Sequence, residues 1–120
     1  MDCSLVEMDG NVRLLRLAGD LDHSGVLAIE AKVLDHCGGP RPLVLIDLSE
    51  TRFVSSRGIH LLLQAVRIVA EGGGCLLLLN PSASVGSALE ISGLSSQGFR
   101  GSESDAVATL RRLRQGEVPS

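Results

Sequence analysis

The stretch Leu43-Val-Leu-Ile-Asp-Leu-Ser-Glu-Thr-Arg-Phe-Val-Ser-Ser-Arg-Gly-Ile-His-Leu-Leu-Leu-Gln-Ala-Val-Arg67 decides how this chain folds. It opens as a near-continuous apolar run, Leu43 to Leu48, short and branched enough to read as a buried strand. A few polar residues follow. From Ser55-Ser56 the pattern takes a helical period. Ile59, Leu62, Leu63, Val66, Val69 and Ala70 recur at helical spacing and predict the inner face of a helix over about residues 56–71. His60, Gln64, Arg67 and Glu71 form the opposite, polar stripe. Leu61, Ala65 and Ile68 add a second apolar stripe beside the first. That stripe suits contact with a neighbouring helix or an exposed patch for a protein partner. Two serines therefore stand where a buried strand hands over to an amphipathic helix. A helix start offers free backbone N–H groups and a partial positive charge, so a serine there can cap the helix or carry a phosphate.

Working outward, Gly72-Gly-Gly74 stops the helix and Cys75-Leu-Leu-Leu-Leu79 reads as another buried strand. Strand, helix and strand in that order predict parallel strands joined by a right-handed crossover. Upstream, residues 4–9 and 12–18 read as two strands around the turn Asp9-Gly10-Asn11, an antiparallel hairpin. Asp22 or Ser24 can cap a first helix over Val26 to Cys37, which Gly38-Gly39-Pro40 ends. Downstream, Asn80-Pro81-Ser82 breaks the strand and starts a short helix, with Val85, Ala88, Leu89 and Ile91 on its inner face. A weak strand is expected within residues 95–100. Ser102-Glu-Ser-Asp105 opens a last helix that buries Val107, Leu110 and Leu113. Residues 115–120 read as a loose tail. These elements predict one domain over residues 1–120, of α/β class. It holds a small mixed β-sheet with an N-terminal antiparallel hairpin and helices packed mainly on one face.

Composition excludes several functions. The only aromatic residues are Phe53 and Phe99, so no ring platform exists for stacking bases or sugars. The net charge is −3, and the one basic cluster, Arg111, Arg112 and Arg114, falls where cations favour a helix end. Nucleic acid is not an expected partner. Cys3, Cys37 and Cys75 are odd in number and widely spaced, as in a reducing compartment, with Cys75 expected to be buried. No apolar span is long enough to cross a bilayer and no secretory leader is read, so direct membrane insertion is not expected and a cytoplasmic location is. His23, His36 and His60 are scattered without metal-ligand spacing, so neither a metal nor another cofactor is expected. Ser56 and His60 lie near Asp47 in sequence. Gly-x-Ser-x-Gly and any mark of an oxyanion hole are missing, and the chain reads as a binding module rather than an enzyme.

Three places resemble the STAS domain, specifically the bacterial anti-sigma factor antagonists. Leu17-Ala-Gly-Asp-Leu-Asp22 resembles that family's Gly-Glu-Leu-Asp segment. Leu45 to Gly58 resembles its Asp-Leu-Ser-x-x-x-Phe-[Ile/Met]-Asp-Ser-[Ser/Ala]-Gly signature. Asn80-Pro81-Ser82 with Leu89 and Gly93-Leu94 resembles its third-helix region. The resemblance implies a transcription-regulating phosphoprotein that binds an anti-sigma factor. That partner is a serine kinase with its own ATP site, and phosphorylating the antagonist switches the binding. Aligned on Phe53 and Gly58, the resemblance puts the acceptor at Ser56, with Ser55 the competing position. Asp22, Ser55, Ser56, Arg57 and His60 are the expected partner-binding residues. Ser55 stands where the family has an acid, and Arg57 where it has a small residue. The alternative implied is a STAS subunit of a lipid-transport or stress-signalling complex without a phosphoserine switch. A homodimer is left open.

Overall fold

The computed structural model describes residues 1–8 and 12–114. The proposed turn at Asp9-Gly10-Asn11 and the tail at 115–120 lie outside them. The strand β1 (Asp2–Met8) pairs antiparallel with β2 (Val12–Leu21), as the hairpin reading expects. Helix α1 (His23–Asp35) begins three residues earlier than its apolar pattern indicates, because Asp22 caps it and accepts a hydrogen bond from Gly25 N at 2.8 Å. Then come β3 (Leu43–Asp47), β4 (Thr51–Val54), α2 (Ser56–Glu71), β5 (Cys75–Leu79), α3 (Ala83–Ile91), a 3-10 turn at Ser95–Gln97, β6 (Gly98–Phe99) and α4 (Glu103–Arg114).

The sheet runs β1-β2-β3-β5-β6, and every pairing after β1–β2 is parallel. The apolar runs of β3 and β5 are continuous because both faces of the sheet are covered. Val44, Ile46, Leu76 and Leu78 point into one core with α1, α2 and α3, while Leu43, Leu45, Leu77 and Leu79 point into a second core. Ala106, Val107 and Leu110 of α4 close that second core alone, so three helices cover one face and one covers the other. Arg16 ties α4 to the sheet, through Glu103 at 2.7 Å and Asp47 at 3.7 Å.

Strand β4 is absent from the sequence reading, which takes Thr51 to Val54 only as part of a short polar stretch between strand and helix. It forms because β2 is twice the length of β3. The first half of β2 pairs with β3, and the second half leaves an edge that β4 fills, with Gly19, Asp20 and Leu21 aligned to Thr51, Phe53 and Val54. Thr51 is buried and its hydroxyl donates to Leu17 O at 2.7 Å, which satisfies it.

The buried face of α2 also differs from the sequence reading. Gly58, Leu61, Leu62, Ala65 and Val69 are buried, Ile59 and Val66 are half-buried, and Leu63 and Ala70 are exposed. The helix is turned by about one residue from the expected face. The second apolar stripe is drawn inward against α1, and Leu63 is released to solvent. In α3, Ile91 is exposed while Val85 and Leu89 are buried. In α4, Leu113 is half-buried beside the buried Val107 and Leu110. Cys75 is half-buried rather than buried, and Cys37 is the fully buried thiol, pushed up to about 11 by its burial.

Candidate functional site

Pairing of β2 with β4 brings two helix starts together. Leu21 and Val54 are opposite each other at the ends of their strands, so the next residues, Asp22 and Ser55, begin α1 and α2 side by side. The Leu21 carbonyl accepts from Ser55 N at 3.0 Å and from the Ser55 hydroxyl at 3.1 Å. The same hydroxyl oxygen accepts from Gly58 N at 3.3 Å, which makes Ser55 the cap of α2. Ser55 is thus held at both ends of its hydroxyl.

Ser56 is the first residue inside α2 and is exposed, outside the capping bonds. Arg57 follows it, also exposed, and the first turn of α2 holds no acidic residue. His60 is exposed one turn further along. The structure therefore gathers four of the five expected residues, Ser55, Ser56, Arg57 and His60, at one helix start. Asp22 borders them, with its carboxylate engaged at the start of α1.

Gly25 and Gly58 make this arrangement close. A Cβ added at Gly25 would meet Asp20 O, and one at Gly58 would meet Leu21 O and, at 2.7 Å, Val54 Cγ2. Both helix starts are pressed against the backbone of β2, which a side chain would forbid.

Residues beyond the sequence list flank the site. Phe53 on β4, which has β2 as its one strand neighbour among the described residues, is 53% exposed. A lone aromatic in a polar segment of a chain almost without aromatics was the available signal. Asp20, its strand partner, holds Arg52 at 3.7 Å. Leu27 on the second turn of α1 is 63% exposed, and Leu63 on α2 is partly so. A polar helix start bordered by exposed apolar side chains suits a protein partner better than a small substrate. Among the described residues no group of His, Cys, Asp and Glu could hold a metal ion. No described helix is long and apolar enough to cross a membrane.

Residues 4–101 match the family model described as Mlab, STAS domain, and the chain belongs to the STAS domain family. It is 30% identical over 104 residues to an anti-sigma F factor antagonist of Lysinibacillus sphaericus, an alignment that spans 86% of this chain and 89% of that protein. Its fold is similar to that of the anti-sigma factor antagonist SpoIIAA in its unphosphorylated form, with a TM-score of 0.79 and 26% identity, covering 98% of this chain and 100% of that one. It is also similar to the phosphorylated form of the Bacillus cell fate determinant SpoIIAA, with a TM-score of 0.73 and 26% identity over 92% of this chain and 100% of that one.

Proposed function

We propose that this protein is an anti-sigma factor antagonist whose partner is an anti-sigma factor with serine kinase activity, and that phosphate on Ser56 switches the binding. The observation that carries the choice of residue is the difference between two adjacent serines. The Ser55 hydroxyl both donates to Leu21 O and accepts from Gly58 N, whereas Ser56 is exposed in the first turn of α2. Phosphorylating Ser55 would remove the cap and its strand contact. A phosphate on Ser56 adds about −1.5 to −2 charges at pH 7, beside free N–H groups that favour negative charge. The helix tolerates it, and a partner packed on the same surface meets a new, strongly hydrated anion. The switch acts on affinity and leaves the fold in place. Similarity to SpoIIAA in both its unphosphorylated and phosphorylated forms supports this reading. ATP belongs to the kinase, and this chain turns nothing over.

Mass spectrometry after incubation with the cognate kinase and ATP tests the assignment. Phosphate is expected on Ser56. Ser56→Asp should weaken kinase binding with thermal stability nearly unchanged, and Ser56→Ala should bind and resist modification. Phosphate on Ser55 alone would move the acceptor by one residue. Tight kinase binding with neither serine modified would make the protein a constitutive antagonist. A second reading, a STAS subunit of a lipid-transport or stress-signalling assembly without a phosphoserine switch, is favoured by Ser55 and Arg57. They stand where the family signature has an acid and a small residue. Recovery of transporter subunits rather than a kinase in a native pull-down would select it.

A further inference from the structure

Two side chains near Ser56 could meet a phosphate placed there, and helix geometry separates them. Arg57 is adjacent in sequence, so it projects about 100° around α2 from Ser56, and such neighbours do not face each other. His60 is four residues on. Residues at that spacing share a stripe with Cβ atoms about 5–6 Å apart, and helical side chains lean back over the preceding turn. Both Ser56 and His60 are exposed. No hydrogen bond or ion pair occupies His60 among the described residues.

The geometry points to His60 as the intramolecular partner of a phosphate on Ser56, with a protonated ring N–H donating to a phosphate oxygen on the solvent side of α2. This inference rests on Ser56 as the acceptor. A phosphate with a second pKa of about 6 then faces a side chain of the type that changes charge between about pH 5 and 8. The dianion favours the imidazolium, and the imidazolium favours the dianion, so each draws the other into its charged form. The clamp is complete where both are charged. It loosens as rising pH deprotonates His60, and again as falling pH protonates the phosphate.

The other charges around His60 do not supply this pairing. On α2 itself the nearest are Arg57, three residues before it, and Arg67, seven after it, and both are cations. Helix α1, which packs against α2, carries His23, Glu30, Lys32 and Asp35; Lys32 is bound to Cys3 O at 2.7 Å. On β4, Arg52 is paired with Asp20, and β5 has no charged residue. Asp22 is engaged at Gly25 N. Among the described residues no ion pair joins any of these groups to His60. A phosphate on Ser56 is the anion that helical spacing places on its stripe.

The test uses full-length protein with phosphoserine installed at position 56 during synthesis, so it does not depend on any kinase. NMR titration then follows the His60 ring and the phosphorus resonance against pH. The His60 midpoint should rise by about 1 pH unit relative to the unmodified chain, while His23 and His36 stay in place. His60→Gln should return the phosphate midpoint upward. His60→Lys should keep the phosphate midpoint low and remove the dependence of the pairing near neutral pH. Arg57→Gln should leave the His60 rise intact. An unmoved His60 midpoint, or a phosphate midpoint indifferent to His60→Gln but raised by Arg57→Gln, would overturn the inference. Failure of the native kinase to modify Ser56 would count against the proposed function instead, and would not alter this measurement.

Discussion

The starts of α1 and α2 are the same device built twice. Each follows the end of one of two paired parallel strands, and each is capped by a side chain that accepts from the backbone N–H of a glycine three residues on, Asp22 from Gly25 and Ser55 from Gly58. In each, that glycine lets the helix approach the backbone of β2. They differ in charge. Asp22 brings a carboxylate to the dipole of α1, which answers its positive end. Ser55 brings a neutral hydroxyl, and Arg57 then adds a cation to the first turn of α2. The end of α2 is left with an unanswered positive character, by roughly 0.3–1 kcal/mol for the misplaced cation. An added negative charge is redundant at α1 and welcome at α2.

The largest effects test whether α2 is rotated as described, since rotation decides which serine faces outward. Leu63 and Ser56 are seven residues apart and share a stripe, so the exposure of one accompanies the exposure of the other. Leu62→Ala should destabilise by about 2–5 kcal/mol because it opens a cavity in the core. Leu63→Ala, at a side chain 37% exposed, should cost less than about 1 kcal/mol. Equal shifts in denaturant unfolding would show that α2 sits the other way round, with Ser56 turned from solvent.

Next come the glycines. Gly25→Ala and Gly58→Ala should each cost about 3 kcal/mol, because the clash is with main chain that cannot rotate away. If calorimetry finds one substitution harmless, the two helix starts are not equivalent. The caps are smaller. Asp22→Ala and Ser55→Ala should each lose about 1 kcal/mol of stability, and Ser55→Ala should lose somewhat more because its bond to Leu21 goes as well. Urea midpoints would compare them, and a silent Ser55→Ala would free that hydroxyl for modification and blur its distinction from Ser56.

Much of this architecture was legible in the residues. The apolar runs 43–48 and 75–79, the glycine stops and the helical period between them define the parallel unit, because burial on both faces leaves no room for polar residues. The signature from Asp47 to Gly58 located the candidate site. Strand β4 was not legible: Thr51-Arg-Phe-Val54 is too short and too polar to announce itself, and is a strand only because the second half of β2 offers it an edge.

The sequence alone determined that a buried strand hands over to an amphipathic helix at two serines, since that follows from hydrophobic spacing and local backbone preference. Only the tertiary structure decided which serine is tied down. The chain carries two overlapping apolar stripes along α2, and periodicity weighs them alike. Packing against α1 selected the stripe containing Leu61 and Ala65, while the β2–β4 pairing delivered the Leu21 carbonyl to Ser55. Those contacts join residues more than thirty positions apart, so no local pattern could encode which hydroxyl they would claim.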